Sequence, residues 1–351
     1  MSLINVVQYN ILAPKLCTEK HFPKCASDSL KKEVRWNRLL IKLREETTRN
    51  SIICLQEVSQ EWCGKLTVFF ENYGYSFITR LYGNQYSGYM GIGTAFPRSK
   101  YSLDECHLVQ VKDYIPGKQI KLDNTWTNWL TSNTSKLYNW LNYQAGYLLP
   151  TEPEDHWARA KYKWNIMIVL KLTNESSNEQ FTVANYHIPC DFTRPTVMML
   201  HSSVAMQQAQ KIAGDVPLVF AADWNFKPDS ECYQLITTGE LPASFKMQES
   251  ATSVDLAKWS PTKGLKSMNS AYMEVNGSEP LYTNYSFTEW SGDEGNFVAT
   301  LDYIFLSKNN WNIMSVEPLP EDDPSLVFST PLPSDEEPSD HIKLRVELTI
   351  K

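Results

Sequence analysis

The sequence contains no apolar run of the roughly 18–20 residues that a membrane-spanning helix requires, so no membrane span is expected. Its opening, MSLINVVQYN, carries neither the basic region nor the long apolar stretch of a secretory signal. Cysteines number 7, an odd count without framework spacing, which argues against a disulfide scaffold and for free thiols in a reducing compartment, the cytoplasm. The sequon Asn174-Glu175-Ser176 is then not expected to carry a glycan. No internal repeat and no low-complexity tract interrupts the chain. Basic residues are outnumbered, 33 Lys and Arg against 40 Asp and Glu, for a net charge of −7. That balance argues against a protein that coats long nucleic acid through a wide basic face. It leaves room for a short strand or a nucleotide at a metal site, where the ion supplies the positive charge.

What is present suits a large globular unit: 351 residues, 42% hydrophobic and 12% aromatic. Short β-branched runs recur at 4–12, 51–58, 165–172, 181–188, 217–224 and 300–306, and their length and composition predict strands. Between them, 30–50 and 196–215 read as helices, the second opening after Arg194-Pro195 and closing at Gly214. The charged first helix reads as a solvated face. Alternation of this kind fits a parallel sheet or two sheets packed face to face with helices outside. Residues 113–164 differ, holding five tryptophans (Trp126, Trp129, Trp140, Trp157 and Trp164), and read as a helical insertion or as a lid over a cleft. Pro318 to Pro338 is a proline- and acid-rich loop, and a last strand follows it.

The chemistry collects where strands end. The run PLVFAADWNFKPDS leads into Asp223 and Asn225, which at i and i+2 share one side of an extended segment. Asn10, Glu57, Asn185 with His187, and Asp302 stand at or near the ends of the other runs, and Asp340-His341 precede the last strand. Singly, each has a plain structural use as a turn cap, an exposed strand end or an Asx turn. Jointly, carboxylates, amides and two histidines form a site if those ends share one rim. Cys17, His21 and Cys25, at i, i+4 and i+8, lack an evident fourth ligand for a structural zinc. His201, inside an amphipathic helix, reads as a packing residue.

The motifs QYNILA, LQEV, ANYH, AADWN, LDYIF and PSDH occur in the order found in the DNase I-like endonuclease/exonuclease/phosphatase superfamily, which the chain resembles from about Asn5 onward. YNILA, YTNYSF and LPSDEEPSDH look most like its deadenylase, nocturnin, Angel and 2′-phosphodiesterase clade. The resemblance implies a single catalytic domain over 1–351, a four-layer α/β sandwich of two packed mixed sheets flanked by helices. It implies Mg²⁺, with Mn²⁺ as a substitute, held by Glu57 with Asn10 and Asp340. Asp223 would orient and deprotonate the attacking water beside Asn225, His341 aimed by Asp302 would meet a phosphate oxygen, and His187 would donate from the other side. Asn284, Phe297, Phe192 and Arg159 would contact substrate. Two departures stand out: Trp224 replaces an aliphatic residue, and Phe192 stands where relatives have a proline that packs on a base. The implied activity is phosphodiester hydrolysis at RNA 3′ ends, a 3′-5′ exoribonuclease preferring adenine, acting as a monomer without a membrane. The alternatives are a nocturnin-like phosphatase acting on NADP or another small adenine nucleotide, a 2′-5′ oligoadenylate phosphodiesterase, and a catalytically dead adaptor on the same fold.

Overall fold

Apolar runs that are buried on both faces must find cover on both, and the sequence provides it in four layers. The computed structural model describes residues 2–117, 155–248, 259–288 and 295–351. The insertion expected at about 113–164 therefore lies mostly outside the described residues. In one six-stranded sheet, Ile4–Asn10 (β1) runs parallel to Ile52–Val58 (β2), beyond which come Gly91–Pro97 (β4) and Tyr75–Leu81 (β3). On its other side β1 pairs antiparallel with Leu344–Ile350 (β14), which is flanked by Trp311–Val316 (β13). In the second six-stranded sheet, Gln180–His187 (β7) runs parallel to Leu218–Asp223 (β8). Ile166–Asn174 (β6) and Tyr101–Gln110 (β5) lie beyond β7, and Asp302–Ser307 (β12) and Met268–Ser270 (β9) beyond β8. A short ribbon, Asn284–Ser286 (β10) with Phe297–Ala299 (β11), leads into β12.

Strand alternation sorts the side chains. Val6, Ile52, Cys54 and Ile92 meet Ile168, Leu170, Val183, Val219 and Ile304 between the sheets. Val7, Tyr9, Ile53 and Leu55 point the other way, onto Leu39 and Leu43 of the helix Lys32–Thr48 and Leu66 and Phe70 of the helix Gln60–Asn72. The second sheet presents Val169, Ala184 and Phe220 to the helix Pro195–Ala213. Trp224 joins this outer core, wholly buried against Phe220, Phe226 and Phe305. The expected four-layer sandwich is the fold observed.

Two buried charges correct the reading of the first helix as a solvated face. Arg35 is fully buried and gives Nε to Pro338 O (2.6 Å) and Nη2 to Ile11 O (2.8 Å) and Leu12 O (2.7 Å). Glu46, also buried, pairs with Lys343. Arg35 thus ties the loop after β1 to the loop before β14.

The sheets are also joined by amides. Asn185 accepts from Gln56 Nε2 (2.9 Å) and donates to Leu55 O (3.2 Å), Gly93 O (2.9 Å) and Thr94 Oγ1 (3.2 Å). Asn185→Ala leaves buried acceptors unpaired and should cost about 2–3 kcal/mol, read as a lower urea midpoint. An unchanged midpoint would show that these contacts contribute nothing net.

Candidate active site

The strands β1, β2, β7 and β8 end, and β12 and β14 begin, at one edge of the sandwich, because each parallel pair is flanked by an antiparallel neighbour. The polar residues at those six positions therefore converge. Asn10 links the two sheets: its Nδ2 donates to Asp223 Oδ2 (2.9 Å) and to Glu57 Oε1 (3.2 Å), while its Oδ1 accepts from Leu12 N (3.0 Å). Gln8, two residues earlier and on the same strand face, donates to Gln56 Oε1 (2.9 Å) and Asp302 Oδ1 (2.7 Å).

Glu57 is not an ordinary strand residue. The β2–β4 register shifts between Gln56 and Val58, and Glu57 sits in that bulge with φ +58°. A left-handed backbone at a residue with a Cβ costs on the order of 1–3 kcal/mol, and here it aims the carboxylate at the rim, where Ala13 N donates to Oε2 (2.8 Å). Asn225 departs from the simple i, i+2 expectation: β8 ends at Asp223, and Asn225 adopts φ +49°. Its N–H donates to Asp223 Oδ1 (3.0 Å) and its Nδ2 to Ile188 O (3.0 Å), so it fastens the exits of β7 and β8 together.

Asp223 is 1% exposed and has two imidazoles near it, His187 Nε2 at 3.4 Å and His341 Nε2 at 3.9 Å from Oδ2. His341 Nδ1 lies 2.7 Å from Asp302 Oδ2, which also accepts from Thr283 Oγ1 (2.6 Å). Burial disfavours the imidazolium, but Asp302, then Asp223 and Asp340, outweigh it and hold the His341 pKa well above the usual histidine value. The ring is thus kept charged and aimed. Asp340 receives Asn284 Nδ2 (3.3 Å), and its backbone O accepts from Tyr285 N (3.1 Å), which locks the β10–β11 ribbon against the His341 loop. Ser339 Oγ donates to Asn10 O (2.7 Å) and accepts from His341 N (3.3 Å).

The remaining expected contacts lie on the β10–β11 ribbon, the loop after β7 and the helix His156–Lys161. Phe297 is 40% exposed on the ribbon, with Lys227 Nζ 5.7 Å from its ring centre, and Phe192 is 72% exposed on the loop after β7. Arg159 does not stand alone: its Nε lies 2.7 Å from Asp191 Oδ2, and Lys163 (2.7 Å) and Arg194 (2.9 Å) grip the same carboxylate. These ion pairs hold Asp191 well below the usual carboxylate range, to about 2, against burial that works the other way. The cluster therefore anchors the loop that carries Phe192. Away from the rim, Cys17 packs with Leu12, Phe22 and Leu30 and Cys25 Sγ points at Pro331 O, so no zinc cluster forms among the described residues. His201 bonds Tyr186 Oη (2.8 Å) and Ala160 O (2.9 Å), and burial lowers its pKa to about 4, as suits a neutral packing residue. Gln8, Gln56, Thr283 and Ser339 were not singled out from the sequence. For Gln8 the signal was available: a polar residue two positions before Asn10 inside an apolar run shares its strand face.

Two features of this donor set fit a hard divalent cation. Glu57 and Asp223 are buried carboxylates facing one neutral amide, and Asp302 and Asp340 add further negative charge that His341 alone does not balance. Oxygen donors with surplus charge are what Mg²⁺-type ions take. Asp223, Asp302 and His341 also offer ligand atoms within 4.8 Å of one another. However, both Asp302 oxygens are already hydrogen-bonded, to Gln8 and to Thr283 and His341. Asp302 is therefore better suited to aim His341 than to bind an ion.

A sequence model of the endonuclease/exonuclease/phosphatase family matches residues 7–341. The 2′,5′-phosphodiesterase 12 of Homo sapiens is 25% identical over 361 residues, covering 100% of this chain and 52% of that protein. The CCR4-Not complex 3′-5′-exoribonuclease subunit Ccr4 of Aspergillus niger is 26% identical over 382 residues, covering 99% and 52%. The chain thus spans about half the length of the curated relatives it matches. Among solved structures, ANGEL2, a 2′,3′-cyclic phosphatase, in complex with adenosine-2′,3′-vanadate gives a TM-score of 0.71 at 18% identity, covering 99% of this chain and 95% of that one. The human Nocturnin catalytic domain with bound sulfate gives 0.63 at 20%, with coverage of 99% and 95%. Both share the fold.

Proposed function

The chain belongs to the endonuclease/exonuclease/phosphatase family, and from that premise we propose that it is one catalytic domain, a Mg²⁺-dependent phosphodiesterase that removes nucleotides from RNA 3′ ends with a preference for adenine. The observation that carries this reading is Asp223, buried between the Asn10 amide and two imidazoles, one of them clamped by Asp302. Glu57, with support from Asn10 and Asp340, would hold the Mg²⁺ ion, which would supply positive charge against the phosphate. Asp223 orients the attacking water and takes its proton. His341, as an imidazolium, donates to a phosphate oxygen as charge develops there, and His187 donates from the other side of Asp223. Asn225 keeps the β7 and β8 exits in register beneath these groups.

Base recognition falls to the exposed rings. Phe297 and Phe192 offer stacking faces, and Asn284 has an N–H and an oxygen lone pair left for an adenine edge. Arg159, tied from the helix His156–Lys161 to Asp191 of the Phe192 loop, is the basic group assigned to the substrate backbone. Stacking is worth roughly 1–3 kcal/mol per base, so Phe192→Ala and Phe297→Ala should each lower kcat/KM on oligo(A) by about tenfold or more. Turnover of bis(p-nitrophenyl) phosphate, which has no base, should hardly change. Equal losses on both substrates would assign the rings to the fold.

The names of the 2′,5′-phosphodiesterase 12 relatives favour a second reading, cleavage of 2′-5′-linked oligoadenylate. Rates with Mg²⁺ on 3′-5′ oligo(A), 2′-5′ oligoadenylate, mixed RNA and NADP separate the two. Release of AMP from 3′-5′ oligo(A) above all others supports the first reading, and fastest release of phosphate from NADP overturns both. The 7 cysteines are all unpaired, which fits a cytoplasmic enzyme, and no helix of the described residues is long and apolar enough to cross a membrane. We take it to act as a monomer.

A further inference from the structure

The hydroxyl of Tyr82 has no part in the chemistry described so far. Tyr82 follows β3 directly, and its N–H donates to Met90 O (3.1 Å), which closes the hairpin onto β4. Its ring packs on the inter-sheet core, and its Oη is buried without a hydrogen bond. Buried hydroxyls are almost always paired, so one that is not asks for a partner still to come.

Its place in the fold says where that partner would be. Across the first sheet the order β14, β1, β2, β4, β3 sets His341, Asn10, Glu57 and then Tyr82 along one rim. Tyr82 thus closes the side of the row opposite His341. Across from it Asn165, the residue before β6, approaches the hydroxyl and partly offsets the rise of its pKa, while its Nδ2 makes its close hydrogen bond to His187 O (2.8 Å). Burial, followed by the charges of Glu57 and Asp223, pushes the phenol well above the usual tyrosine value, so it stays a donor.

We propose that Tyr82 is a further catalytic residue, whose hydroxyl donates a hydrogen bond to a non-bridging oxygen of the scissile phosphate on the Glu57 side of the cleft. The inference rests on the phosphodiesterase reading above. Tyr82 keeps its proton throughout, and no bond to it forms or breaks. A neutral donor fixed in a dehydrated position strengthens as charge gathers on the oxygen it faces, which lowers the barrier more than it tightens substrate binding.

Tyr82→Phe keeps the ring in the core and removes an unpaired hydroxyl, so the melting temperature should hold. On the phosphodiester that the wild type turns over best, kcat should fall about 10- to 100-fold with KM within about twofold, in line with the loss of one donor to a developing oxyanion. The same factor should appear with bis(p-nitrophenyl) phosphate, because the hydroxyl serves a non-bridging oxygen and not the leaving group. Orthovanadate binding, measured by calorimetry on both proteins, should weaken roughly tenfold or more in the variant. This arm needs no turnover: if the wild type hydrolyses none of the phosphodiesters, the proposed function fails while vanadate still tests Tyr82. A variant that turns over substrate and binds vanadate like the wild type overturns the proposal. So does one that loses stability with its kcat intact.

Discussion

Asp223→Asn is expected to fold, to bind substrate and to turn it over about 10²–10⁴-fold more slowly, the usual size of a general-base contribution. The substitution is isosteric, and Asn225 N can still donate to an amide oxygen at the position of Oδ1. What it cannot keep is an anion between the Asn10 amide and the two histidines. An amide there has no basicity for the water's proton and turns an N–H toward groups that are themselves donors. His341→Ala should cost a comparable factor, and the double variant less than the product, if the pair acts as a unit. Single-turnover rates on oligo(A), with melting curves as the control, decide it. Near-wild-type turnover by Asp223→Asn would move the base elsewhere.

Glu57→Ala should lose nearly all activity, and millimolar Mg²⁺ should restore part of it if the carboxylate only holds the ion. Chelation by EDTA should silence the wild type; turnover in its presence would end the metal mechanism. The bulge adds a second readout independent of activity. At φ +58°, alanine inherits the backbone cost and glycine does not, so Glu57→Gly should be more stable than Glu57→Ala by roughly 1 kcal/mol or more. Both should be equally inactive. Equal stability of the two would mean that the bulge relaxes once the carboxylate is gone.

The strands that could be read from the sequence are the ones buried on both faces. β1, β2, β7 and β8 are continuous apolar runs because helices cover one face and the opposite sheet the other. β3, β5 and β13 carry polar residues on a partly exposed face, and their runs, such as YSLDECHLVQ, look like loop or helix in isolation. Asn10, Glu57, Asp223, His187, Asp302 and His341 were legible because charged and amide groups at the ends of apolar strands are out of place unless they do something. That they converge depends on strand order, which no local pattern encodes. The Glu57 bulge was invisible for a different reason, since LQEV carries no glycine to announce a left-handed residue. Arg35 and Glu46 were misread because a long helix with many charges looks solvated throughout; their partners, Pro338 O and Lys343, lie some three hundred residues away.

The pairing of β1 with β14 has a consequence for how the protein is made. The strand that carries Asn10 leaves the ribosome more than three hundred residues before the strand that completes its ladder and the loop that brings His341. Until then β1 has an open edge beside β2, a template for wrong partners during synthesis. Contacts of such long range also form slowly. A chain interrupted before the His341 loop and β14 would lack His341 and keep the β1 edge open, so the missing segment would leave the rim incomplete and the product aggregation-prone.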